Sequence, residues 1–230
     1  MTTSGTYNFN PSIGEGTIYA YMLCGKMPTE LTQEHFESAR IAVNMMLGSW
    51  AAKGVNLWAV ELVGPVPLVQ GTATYAVDPS TIMVLDAYIT TGSGTSGINR
   101  VITPISRTEY ASVPNPTQQG FPSSFWFDRL LSPTISLWQV PDGNQTSLSY
   151  YRVRQIQDAN FTNGQTAEIP YYFLESLTLG LAARLAMIWA PERAAQLDAA
   201  AERAFNTAAA QNVEMTNFYI SPGLSSYYRT

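Results

Sequence analysis

Few side chains in this sequence could make or break covalent bonds, and none has the company such chemistry needs. There is one histidine, His35, and one cysteine, Cys24. A Ser-His-Asp triad would have to use His35. A tetrahedral Cys/His zinc site takes about four ligands, and the sequence holds two residues of those types. His35 falls in the first turn of an amphipathic helix beside Glu34 and reads as a solvated surface residue in preference to a general base. Cys24 falls at a helix end and reads as a small buried hydrophobe. A reactive thiolate wants cationic neighbours, and Lys26 is the one nearby in sequence. A lone cysteine also excludes a disulfide within the chain.

Gly92-Ser93-Gly94-Thr95-Ser96-Gly97 carries the letters G-x-G-x-x-G. In a dinucleotide fold the last glycine opens a helix whose N-terminus holds a pyrophosphate. Here Ile98 to Pro104 follows and reads as a strand, so the run is expected to be a hairpin loop. No Walker-type G-x-x-x-x-G-K-[ST] occurs. With 17 Asp and Glu, some pair will always fall at glycosidase spacing, so carboxylates alone point to no hydrolase. Glu15, Glu34 and Glu37 are explained as charges at helix starts. The chemistry on offer is therefore that of binding, and two features carry it. Arg152 and Arg154 alternate on a strand and share a face with Leu148 and Tyr150. They can touch phosphates or pair with carboxylates, and the acidity of the chain favours carboxylates of a neighbouring subunit. The second feature is a C-terminal segment, 213–230, with Phe218, Tyr219, Tyr227, Tyr228 and Arg229 around a Ser221-Pro222-Gly223 turn. Such a segment frays unless something ties it down, so it is expected to dock on another subunit in preference to its own domain.

Composition agrees with a binding role. The formal charge is −5 and the isoelectric point is near 4.8, which argues against general nucleic-acid binding. Charged residues make up 13% of the chain and aromatics 12%. Ten of the 12 basic residues are arginine. Interface cores are poor in charge and favour aromatics and arginine. A disordered chain is excluded by the 46% hydrophobic content. Met1 to Asn10 is polar and uncharged, unlike a signal or transit peptide. Ile169 to Ala190 is the most apolar stretch, but Glu175 and Arg184 within it favour a buried helix over a membrane span.

The elements that would position these residues are read from period and punctuation. Ser12-Ile13-Gly14-Glu15 is a capping box opening a helix over 12–24, which Gly25 stops. Thr32 caps a second helix over 32–53, where Phe36, Ala39, Val43, Met46 and Trp50 form one apolar stripe and Gly54 ends it. Residues 55–168 read as strands, including Thr81 to Ile89 and Thr134 to Val140, with Pro141-Asp142-Gly143-Asn144 as a hairpin turn. Pro114, Pro116 and Pro122 stiffen the connection from Ala111 to Ser124. A third helix over 170–190 carries Leu174, Leu177, Leu181, Leu185 and Ile188 on one face. An alanine-rich fourth, over 191–211, begins at Pro191 and lets a neighbouring helix approach closely. The predicted fold is α+β, mainly α. It comprises one domain over 1–212, with a helical bundle from both chain ends, an inserted antiparallel β region and an extended tail over 213–230.

These features together resemble a known family. Gly14 to Gly25, then Leu31-Thr32, Asn44 to Trp50 and Gly54-Val55-Asn56-Leu57-Trp58 are similar to the head-to-tail adaptors of short-tailed bacteriophages. These are also called tail tubular protein A-like or tail accessory (head-completion) proteins. Tyr150-Tyr151-Arg152-Val153-Arg154 and Ile169 to Leu174 fit the same pattern. The resemblance implies a structural, non-enzymatic virion protein of the neck, assembled in the host cytoplasm. Such adaptors form a ring, commonly twelve-fold, between the portal protein and the tail nozzle. They extend the DNA channel and offer sites for nozzle and fibre proteins; the net negative charge of this chain would in addition keep a channel wall from gripping the genome. The resemblance implies no cofactor, no metal, no catalytic residue and no membrane in the mature particle. Some relatives are linked with cell-wall degradation, which keeps a peptidoglycan hydrolase as the alternative.

Overall fold

The computed structural model describes residues 3–7, 9–55, 57–92, 97–161 and 164–213. Helix α1 spans Ile13–Leu23 and α2 spans Gln33–Ala52. The strands run β1 Val60–Pro67, β2 Thr74–Ala76, β3 Thr81–Thr91 and β4 Ile98–Pro104, followed by a short helix, α3, Arg107–Ala111. Then come β5 Gln119–Gly120, β6 Ser124–Asp128, β7 Thr134–Trp138, β8 Val140–Pro141 and β9 Ser147–Arg154. Helices α4, Leu174–Trp189, and α5, Pro191–Gln211, complete the described chain. Helix is 40% of the structure and strand 26%, so the fold is mixed α and β.

Local signals place the helices where the sequence predicts them. The Ser12 hydroxyl accepts the Glu15 N–H at 3.2 Å, and the Glu15 carboxylate accepts the Ser12 N–H at 2.9 Å. Gly25 takes φ +87° where α1 stops, a conformation that a side chain would resist. Pro191 stands at the first turn of α5, where its missing N–H is not required.

The helices share one core. α1, α2 and α5 all pack on α4. Small residues let them approach: Ala182, Ala183 and Ala186 are buried, and a Cβ on Gly180 would stand 2.6 Å from the Met46 sulfur. The α2 stripe is buried at Ala39, Val43, Met46 and Trp50, with Phe36 half-buried. In α4, Leu177, Leu181 and Leu185 are buried, but Ile188 at the end of the predicted stripe is 63% exposed. Phe173 lies at the centre with no exposed surface. Its ring is 5.3 Å from Trp50, 5.0 Å from Trp58 and 6.2 Å from Phe205.

The strands form a second core. Seven strands make one curled sheet in the order β1-β9-β3-β4-β6-β7-β2. Its interior holds Val84, Ala87, Ile89, Ile102, Phe125, Ile135, Leu137, Leu148 and Tyr150. The expectation of a purely antiparallel region needs correction. β4 pairs with β6 in parallel through Thr103↔Ser124 and Pro104↔Phe125, and β5 pairs with β8 in parallel. That join links two antiparallel groups into one sheet. Pro141 to Asn144 is likewise not a hairpin turn. β7 pairs with β6 and β2, while β9 pairs with β1 and β3, so the segment crosses between the two groups. β3 and β4 do form the hairpin expected around Gly92 to Gly97, with Thr91 opposite Ile98.

Phe173→Ala is expected to cost about 3–5 kcal/mol, since it removes a fully buried ring whose neighbours belong to three other segments. Urea unfolding of the two proteins measures the difference.

Candidate interaction surfaces

The densest polar constellation lies where the two cores meet. Arg152 is buried. Its Nε donates to Glu61 Oε1 at 2.7 Å and its Nη1 to Thr81 Oγ1 at 2.9 Å, its Nη2 also donates to Glu61, and Asp78 is 3.4 Å away. Arg154 grips Glu168 with both terminal nitrogens, Nη1 to Oε2 at 2.8 Å, and approaches Glu61 Oε2 at 3.4 Å. β1 pairs with β9 so that Glu61 faces Arg152 directly. Glu168 arrives from the other direction, on the segment leading into α4. Its backbone oxygen accepts the Trp58 Nε1–H at 2.9 Å, which joins the cluster to the helical core. The two arginines do lie together, as their alternation predicts. Both find carboxylates within the chain, Glu61 for Arg152 and Glu168 for Arg154. The antiparallel register sets Glu61 of β1 opposite Arg152 of β9.

This cluster is built to hold charge in place, not to move protons. The bidentate bond from Arg154 holds the Glu168 carboxyl below its ordinary value of 4.5. A glycosidase acid needs the opposite shift. Among the described residues, no group of three His, Cys, Asp or Glu side chains stands where it could hold a metal ion.

His35 is a second correction. It is buried, not solvated. Its Nδ1 lies 3.2 Å from the Thr32 backbone nitrogen and 2.8 Å from the Thr32 hydroxyl, and its Nε2 is buried with no hydrogen-bond partner. The ring stacks on Trp189 at 4.1 Å and meets the edge of Tyr21 at 5.3 Å. The Tyr21 hydroxyl donates to the His35 carbonyl at 2.6 Å, and Trp189 Nε1 donates to Ser38 Oγ at 3.3 Å. One cluster thus fastens α1, α2 and α4 together. The signal was present in the sequence: His35 stands four residues before Ala39, on the buried stripe. Cys24 is buried as expected. Its thiol donates to the Ala182 carbonyl at 3.4 Å, and burial pushes its pKa up, away from reactivity.

Apolar surface is exposed in three places that sequence reasoning did not single out. On the outer face of the curled sheet, Leu62 stands opposite Tyr151, with Leu85 and Val101 also exposed. Tyr150 points into the β core, so Tyr151 must point out. At the β6–β7 connection Leu130 and Leu131 are exposed, Leu131 at 97%. Beside α1 and α4 lies a groove of about 900 Å³ lined by Phe9, Tyr19, Leu23, Tyr171, Leu174 and Leu179. Isolated exposed hydrophobes are ordinary, but grouped ones mark contact surfaces. The tail candidates Phe218, Tyr219, Tyr227, Tyr228 and Arg229 lie outside the described residues.

The chain is poor in charge, pairs its arginines internally at this cluster and leaves grouped apolar side chains exposed. Among known protein families, the SU10 adaptor protein family matches residues 16–223. The chain belongs to the SU10 adaptor protein family. It is therefore a phage structural adaptor, as the resemblance implied, and by that membership a virion component. The match takes in the tail as far as Gly223, including Phe218 and Tyr219, and leaves out Tyr227, Tyr228 and Arg229. No curated protein matches the chain. No helix among the described residues of the adaptor is long and apolar enough to cross a membrane.

The lowered pKa of Glu168 makes a signed prediction. A depressed carboxylate contributes stability above its ordinary value of 4.5 and loses it as pH falls through the folded value. Urea-unfolding free energy of the adaptor should therefore fall as pH drops below about 4.5. In Glu168→Gln that fall should be shallower, because the neutral amide has no such proton to take up.

Proposed function

We propose that this adaptor is one subunit of a ring that joins the portal to the tail nozzle of a short-tailed phage. Membership of the adaptor family over residues 16–223 carries the reading. The ring is commonly twelve-fold in proteins of this kind. It extends the DNA channel below the portal, receives the nozzle and offers footing to fibre proteins.

The physical features support such a role. A ring subunit meets two neighbours through unlike faces, and closure requires a fixed rotation from one to the next. The outer face of the sheet and the Leu130-Leu131 tip supply separate apolar surfaces for those contacts. A net charge of −5 suits a channel wall along which DNA must slide, since an acidic surface has no counterions to release from phosphates. Arg152 and Arg154 act inside the subunit, fixing the face on which partners dock. The tail, with Phe218, Tyr219, Tyr227, Tyr228 and Arg229, docks on the portal or on an adjacent protomer. No side chain has a catalytic part in this reading.

The experiment is to delete residues 213–230 and mix the product with portal particles. The truncated protein is expected to stay folded and to fail to form a continuous ring below the portal in negative-stain images, where the full chain succeeds. Normal assembly by the truncated protein would overturn the role of the tail. Peptidoglycan hydrolysis is the competing reading, and a turbidity assay on cell walls separates the two: lysis abolished by one acid-to-alanine substitution would favour the enzyme.

A further inference from the structure

The groove beside α1 has an occupant within reach. It adjoins a second, smaller groove of about 330 Å³ between α4 and α5, with Glu175 and Leu179 lining both. Together they form one trough. Its floor is the outer face of α4, and its walls are α1 with Phe9 and Tyr19 on one side and α5 with Arg203 and Thr207 on the other. The trough begins at Gln211, the last residue of α5.

The tail starts at the same place. The Asn212 side chain donates to the Val55 carbonyl and accepts the Tyr172 hydroxyl at 3.2 Å. Tyr172 is itself a lining residue of the smaller groove. Residues 214–230 follow this anchor, with a reach of about 55 Å at ~3.3 Å per residue. The floor, α4, is 16 residues long, about 24 Å at 1.5 Å per residue. The apolar group Phe218-Tyr219-Ile220 starts six residues after the anchor, a span of up to about 20 Å. The charges available are complementary: the tail carries Glu214 and one cation, Arg229, and the trough is lined by Arg203, Glu15 and Glu175.

We infer that in the free subunit the trough over α4 is the seat of the chain's own C-terminal segment, with Phe218-Tyr219-Ile220 packed between Tyr19 and Tyr171. The anchor sets a high effective concentration for this intramolecular contact. It covers apolar surface that would otherwise face water. It also holds the tail away from other partners until one of them binds it more tightly. This inference concerns the isolated subunit and does not depend on the ring reading. Its test uses no portal.

The test is a disulfide. Tyr19→Cys and Tyr219→Cys are introduced together in the full chain, and mild oxidation is followed by mass spectrometry. Tyr19 is 55% exposed, so its replacement leaves the core intact. An intrachain crosslink is expected, at least about tenfold faster than for a control pair of Leu131→Cys with Tyr219→Cys. A crosslink between two chains would make a second copy the occupant and overturn the inference, as would equal rates for the two pairs. A second measurement needs no engineered cysteine. Tyr19→Asp combined with Tyr171→Asp, both at exposed positions, should speed chymotrypsin cleavage after Phe218 and Tyr219 several-fold. Unchanged cleavage would count against the inference.

Discussion

The burial of α4 is the constraint from which the architecture follows. Its apolar surface extends around too much of the helix for one neighbour to cover, so α1 and α2 from the start of the chain and α5 from its end all pack on it. The two halves of the sequence must therefore meet there. Everything between Val60 and Arg154 has to leave the helical layer and return to it. The strands cannot share the helical core, so they curl around one of their own. The same constraint leaves one strip of α4 without a helical cover, and that strip floors the trough.

Two cores joined by short segments need something to fix their relationship, and here it is charge. A chain with 13% charged residues gathers Arg152, Arg154, Glu61, Asp78 and Glu168 into one cluster. Burying an arginine gains little over an apolar replacement of similar shape, but removing its partner leaves an uncompensated charge. The cluster thus disfavours every arrangement in which β1, β9 and the segment before α4 are misaligned. The His35, Tyr21, Ser38 and Trp189 contacts act similarly among the helices. There the cost is one buried nitrogen without a partner.

This arrangement suits an adaptor. Arg152, Arg154, Glu61 and Glu168 are paired within the subunit, while apolar side chains are grouped on its outside. The sheet face around Leu62 and Tyr151, the Leu130-Leu131 tip and the trough over α4 point in different directions of use. Separate apolar surfaces held on one scaffold are what the proposed ring role asks for.

The residues by themselves determined what depends on near neighbours. The Ser12–Glu15 capping box, the Gly25 stop, the Pro191 start, the α2 stripe and the β3–β4 hairpin around Gly92 to Gly97 were all legible, because each is set by contacts within a few positions. The family was legible too, from the order of short packing and turn motifs. Tertiary structure alone decided which strands pair, and so why Pro141 to Asn144 crosses between groups instead of closing a hairpin. It decided that Arg152 and Arg154 find Glu61 and Glu168 in their own chain, 91 and 14 residues away. It decided that His35 is enclosed, since Trp189 closes over it from a helix that begins more than a hundred residues later. In each case the deciding partner lies outside the element concerned, and local periodicity carries no information about which other segment will arrive.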